Sequence, residues 1–147
     1  KMKEEHIVPL SRQAMILLAQ LKQISGDKEL LFPGDHDATK VMSENTVNSA
    51  LRAMGYDTKT EVCGHGFRTM ARGALGESGL WNEDAIERQL SHSERNSVRA
   101  AYIHTSEHIE ERWLMIQWWA DYIDQNRSRG ITPFEYAKIY DKKNISR

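Results

Sequence analysis

Two short stretches of this chain have the residue types and spacing to handle a phosphate. In "HGFRTMAR", His65 and Arg68 stand one helical turn apart, and Arg72 follows on the next turn. An arginine grips a phosphate through two parallel N–H donors and keeps its charge at any physiological pH. A histidine donates to a phosphate oxygen or moves a proton near neutrality. At a helix N-terminus, backbone N–H groups and the helix dipole would add to the attraction for an anion. The second stretch, "LSHSERNSVRAAY", holds His92, Arg95, Arg99 and Tyr102. A tyrosine hydroxyl titrates near about 10 and needs a base or strong electrostatic help before it attacks anything. Each stretch also has a plainer reading. His65 caps a helix and Arg68 forms a surface ion pair, or Tyr102 packs its ring beside Val98. H-x-x-R arises often by chance, and most tyrosines on an apolar helix face simply pack, so neither stretch decides alone.

Helices must carry both stretches. His6-Ile7-Val8 reads as a short strand ended by Pro9. Ser11 suits the start of a helix over about 12–24, with Ala14, Leu17, Leu18 and Leu21 as its buried stripe and Gly26 as its stop. "LLFPGDHD" is an apolar run and a turn. Ser43 is expected to cap a second helix with a stripe of Val47, Ala50, Leu51 and Met54, closed by Gly55. The "HGFR" helix has Phe67, Met70, Ala71, Ala74 and Leu75 on its apolar face, while His65, Arg68 and Arg72 share another. Asn82 caps a short helix carrying Ala85, Ile86 and Leu90, and Asn96 is placed to cap the next. A longer helix should run from about Ser106 toward Arg129, burying Ile109, Trp113, Ile116, Ala120 and Ile123. Trp118 and Trp119 cannot both face one core. After "GITPF" a last helical piece begins near Pro133.

The chain has 147 residues, 39% hydrophobic and 28% charged, with a formal net charge of −1. That composition fits one globular domain and excludes a disordered or membrane-embedded class. No apolar run approaches the roughly 20 residues a membrane span needs. Cys63 is the single cysteine, which fits a reducing compartment. The near-zero net charge hides an uneven distribution. Residues 127–147 hold six Lys/Arg against Glu135 and Asp141, whereas residues 107–124 hold five acidic residues against Arg112 alone. His104 and His108 have the i, i+4 spacing of helical metal ligands, but no third ligand accompanies them, and both read as solvent-facing. Cys63 reads as a small buried residue. No metal or other cofactor is expected.

Taken in order, "GHGFRTMARGAL" and then "RQLSHSERNSVRAAY" resemble the catalytic core of the tyrosine recombinases, and within them the integrases of phages and genomic islands. "IVPL" also resembles the end of the strand that follows the family's catalytic lysine, and "QWWADY" the helix beyond its tyrosine. The resemblance implies a mainly α (α+β) fold, a helical catalytic domain with a short N-terminal strand left from a small sheet. It implies Tyr102 as nucleophile, with Arg68, His65 and His92 around the phosphate and Lys1 as general acid, Lys3 competing for that role. Arg72, Arg95 and Arg99 become candidate contacts to DNA phosphates. The reaction implied is metal-independent strand cleavage and rejoining through a 3′-phosphotyrosyl intermediate, as in integration or excision of a prophage. The partners implied are double-stranded attachment sites, a homo-tetramer on DNA, and accessory DNA-bending or excision factors, all in the bacterial cytoplasm near the nucleoid.

The family's first catalytic arginine lies upstream of the lysine strand and has no counterpart here. The chain starts without Met, as if cut from something longer, and is expected to be inactive or nearly so by itself. Residues 131–147 would dock on a neighbouring subunit or on their own domain. The competing readings are a non-catalytic helical module binding DNA or protein, and a type IB topoisomerase. Convergence of His65, Arg68 and His92 within reach of Tyr102 would separate the enzyme from the module.

Overall fold

A computed structural model describes residues 6–26, 28–91 and 108–140. They form six helices: α1 (Arg12–Ser25), α2 (Thr46–Ala53), α3 (Gly64–Ser78), α4 (Glu83–Gln89), α5 (Ile109–Asn126) and α6 (Pro133–Ile139). The chain divides into two compact units. One comprises the described parts of Lys1–Arg12 and Met70–Arg147, and the other is Gln13–Thr69.

The first unit is built on aromatic packing. Leu75 from α3, Trp81, Ile86 and Leu90 around α4, Met115 and Trp118 from α5, and Tyr136 from α6 form its core. The termini of the short helices follow from local chemistry. The Asn82 side chain accepts from the Asp84 N–H at 2.8 Å and caps α4, as its sequence suggests. Pro133 sits in the first turn of α6, where its missing N–H costs nothing. Thr132 and Glu135 complete a reciprocal capping box there. The Thr132 N–H and hydroxyl donate to the Glu135 carboxylate and hold it below the ordinary carboxylate range.

On α5 the sequence expectation is corrected. Ile109, Trp113 and Ile123 are exposed, and the buried residues are Arg112, Met115, Gln117 and Trp118. The helix carries apolar residues on most of its circumference, so a 3.6-residue period alone could not choose a face. Aromatic packing decides it. Trp118 is 0% exposed and stacks parallel on Tyr122 at 5.3 Å. It also meets Tyr136 at 5.4 Å and the edges of Trp81 and Tyr140 at 6.3 Å. Offset-stacked and edge-on rings are the favoured aromatic geometries, and tryptophan brings the largest apolar surface. Trp119 is partly buried yet packs against the same core and stacks on Tyr122 at 5.8 Å, so both tryptophans reach one core, contrary to the sequence expectation. The helix spans Ile109–Asn126 rather than 106–129.

The expected N-terminal strand is a second correction, since residues 6–10 carry no regular structure and no strand occurs among the described residues. A strand needs a neighbour to satisfy its backbone groups. Here the Ile7 carbonyl accepts from the Arg112 side chain instead, and the Arg12 N–H donates to Gln117 Oε1 at 3.0 Å.

In the second unit, left-handed glycines end the helices as their positions suggest. Gly26 has φ +70° and donates to the Lys22 carbonyl at 2.9 Å, and Gly55 has φ +96° after α2. The burial expected along these helices is incomplete. Leu51 is buried on α2, while Val47, Ala50 and Met54 are exposed. On α1, Leu18 and Leu21 are half-buried and Leu17 is exposed. Ser43 is not the cap of α2. It forms a turn one step earlier, its hydroxyl accepting from the Asn45 N–H at 3.3 Å and its carbonyl from Thr46 at 2.9 Å. Serine offers the backbone such local alternatives to a helix cap.

Between α1 and α2 the chain folds back on itself through a bridge of Pro33 with Val41. The Gly34 N–H donates to the Lys40 carbonyl at 2.6 Å, and Asp37 accepts from the Thr39 N–H at 3.0 Å and hydroxyl at 2.6 Å. A Cβ at Gly34 would lie 2.9 Å from the Asp37 carbonyl oxygen and 3.3 Å from that of Lys40. Both obstacles are backbone and cannot swing aside. Gly34→Ala is therefore expected to destabilise this unit by about 1–3 kcal/mol, the usual range for overpacking, as read by urea unfolding.

Candidate active site

The helix that carries His65 and Arg68 is anchored at its first residue. The Gly64 N–H has no acceptor within its own helix, and Asn48 Oδ1 on α2 supplies one at 2.8 Å. A Cβ at Gly64 would stand 3.4 Å from Val47 Cγ1. The Gly66 N–H donates to the Cys63 carbonyl at 2.9 Å, and the Thr69 hydroxyl to the His65 carbonyl at 3.4 Å.

His65 is the second residue of this 15-residue helix and is exposed. Arg68 follows one turn later and is half-buried. The pair therefore sits on the N-terminal turns of α3, the positive end of its dipole. That arrangement can offer an imidazole and a guanidinium to one anion.

Arg72 lies one turn further, in the part of α3 that belongs to the first unit. Its Nε donates to Glu87 Oε1 at 2.7 Å, and its Nη2 lies 3.6 Å from Glu83 Oε1. It ties α3 to α4 through two carboxylates. Lys1, Lys3, His92, Arg95, Arg99, Tyr102 and His104 lie outside the described residues. The convergence that would separate enzyme from binding module involves His92 and Tyr102, which lie outside the described residues. Cys63, beside His65, is a partly buried free thiol. Among the described residues no group of three His, Cys, Asp or Glu could hold a metal ion. No helix there is long and apolar enough to cross a membrane.

Sequence reading passed over three residues that shape these elements. Asn48 fixes the start of α3, and nothing local to "TVNSAL" signals a partner sixteen residues away. Arg112 and Gln89 form a partly buried hydrogen bond of 2.9 Å between α5 and α4. The signal for Arg112 was present, a lone basic residue amid acidic and apolar neighbours.

Known proteins supply the remaining context. Residues 1–108 match the phage integrase family, a span that includes His65, Arg68, His92 and Tyr102. The chain is 89% identical over 146 residues to the Integrase of Enterobacteria phage P4, covering 98% of this chain and 33% of that protein. It is 69% identical over 139 residues to the Putative protein IntB of Escherichia coli K12, covering 95% of this chain and 35% of that one. It is 38% identical over 139 residues to the Prophage integrase IntA of the same strain, covering 95% of this chain and 33% of that protein. The chain thus spans about a third of the length of these relatives. No solved structure matches it. A mainly helical unit, an H-x-x-R pair on the first turns of its helix and a family match over residues 1–108 agree: this chain belongs to the phage integrase family.

Proposed function

We propose that this chain supplies the tyrosine and most of the phosphate-binding groups of a site-specific DNA recombinase. The observation that carries the reading is the family match, which spans His65, Arg68, His92 and Tyr102. The tyrosines themselves support the choice of nucleophile. Of the five in the chain, Tyr122, Tyr136 and Tyr140 pack around Trp118, where burial raises their hydroxyl pKa values. That is the wrong direction for an attacking oxygen. Tyr56 comes after Met54 and Gly55 at the end of α2 and precedes both histidines, outside the histidine-to-tyrosine spacing of the family.

In the proposed reaction the Tyr102 oxygen attacks a DNA phosphorus, and the bond from phosphorus to the 5′-oxygen breaks. His65 accepts the tyrosine proton, and Lys1, or Lys3 in its place, protonates the leaving 5′-oxygen. A 5′-hydroxyl of the partner duplex reverses the step, so no phosphodiester energy is lost to water. Arg68 and His92 stabilise the charge that builds on the non-bridging oxygens. Arg95 and Arg99 contact neighbouring phosphates, as does Arg72 in competition with Glu87 for its guanidinium. The reaction uses no cofactor. It acts on double-stranded attachment sites in a homo-tetramer, with accessory DNA-bending factors, in the bacterial cytoplasm.

The test is a covalent protein–DNA adduct on a nicked suicide substrate, formed by a full-length integrase containing this segment and mapped to Tyr102 by peptide analysis. An adduct at another residue, or none, overturns the reading. In the same protein Arg68→Ala is expected to slow cleavage on the order of 10²–10³-fold, the usual cost of one electrostatic donor, with DNA binding retained. Loss of folding instead would mean that Arg68 serves a structural ion pair.

A further inference from the structure

Arg112 is 0% exposed, in the first turn of α5. Its Nε donates to Gln89 Oε1 at 2.9 Å, and its Nη2 donates to the Ile7 carbonyl. Both acceptors occupy telling positions. Gln89 is the last residue of α4, three before His92. Ile7 comes four residues after Lys3 and six after Lys1, and Arg112 comes ten after Tyr102. The neighbouring Glu111 accepts from the Asn82 N–H at 2.8 Å, at the opposite end of α4. The first turn of α5 therefore holds α4 at both ends and the N-terminal segment as well.

Stability alone does not account for an arginine here. Taking a guanidinium out of water costs several kcal/mol before its hydrogen bonds return any of it. Replacing buried charge with a well-packed apolar residue of similar size is often neutral or stabilising. An arginine can do what methionine cannot: its rigid fork of donors holds two separate acceptors in one fixed geometry.

We infer that Arg112 is a positioning residue for strand cleavage, fixing the chain beside the catalytic lysine and the chain beside His92 relative to each other. The inference rests on the recombinase reading above. Arg112 acts through Ile7 and Gln89.

The test uses a full-length integrase containing this segment, with Arg112→Met, Arg112→Lys and Gln89→Met. Single-turnover cleavage at saturating DNA, DNA affinity and thermal melting are read together. For Arg112→Met, cleavage should slow by roughly 10²-fold, the scale of a small misplacement of reacting groups, while affinity and melting hold. Lysine should restore part of the rate, since it reaches one acceptor at a time. Gln89→Met should show a smaller loss of the same kind.

Wild-type cleavage by folded Arg112→Met overturns the inference, as does a lowered melting point with a normal rate below it. If Arg112→Met does not fold, Gln89→Met decides alone, a slowed rate supporting the inference and a normal one overturning it. Absence of an adduct from the unsubstituted protein overturns the recombinase reading and this inference together. A normal adduct with fast Arg112→Met overturns the inference only.

Discussion

Phenylalanine at position 102 should leave a full-length integrase containing this segment folded and DNA-bound, yet unable to form a covalent adduct. The ring is kept and only the attacking oxygen goes, so packing changes little. Removing a covalent nucleophile costs on the order of 10⁶-fold in rate in a well-studied case. Compensation by another tyrosine is not expected. Tyr122, Tyr136 and Tyr140 are held in the aromatic cluster, where burial raises their pKa values and disfavours the phenolate. The measurement is a denaturing gel of protein incubated with a nicked suicide substrate. A persisting adduct would remove Tyr102 from the mechanism.

The second large effect concerns folding. Trp118→Ala should destabilise the first unit by about 3–5 kcal/mol, the range for truncating a buried large aromatic side chain. Small domains have only about 5–15 kcal/mol to lose. The indole touches rings from three directions, Tyr122 on its face, Tyr136 tilted, and the edges of Trp81 and Tyr140. No single neighbour can move to fill the space. Urea unfolding followed by near-ultraviolet circular dichroism would check it. Trp119→Ala, at a partly buried ring, should cost clearly less. An equal cost would mean that the aromatic cluster is not the centre of this core.

Features set by a few adjacent residues were legible in the sequence. Gly26 and Gly55 stop helices, Asn82 caps α4, and α6 starts at Pro133. The helix that carries His65 and Arg68 was legible too, while the roles of the two residues came only from the family resemblance. Features set at long range were not. The buried face of α5 depends on rings brought in by α6 and the α3–α4 turn, which no local period records. The strand expected at His6–Val8 is absent, and the Ile7 carbonyl meets instead an arginine 105 residues away. Nor was the burial of Arg112, whose partners Gln89 and Ile7 lie 23 and 105 residues away, legible in the sequence.

The first unit is discontinuous in sequence, because residues 6–12 belong to it and 13–69 do not. That has a consequence for synthesis on the ribosome. Ile7 and Arg12 find Arg112 and Gln117 each 105 positions later. At roughly 5–20 residues per second, those positions are made some 5–20 s after the segment that needs them. By the end of that interval the second unit, Gln13–Thr69, has been made in full, while residues 6–12 still await their partners. Residues 6–12 are thus made before the second unit and meet their partners only after it.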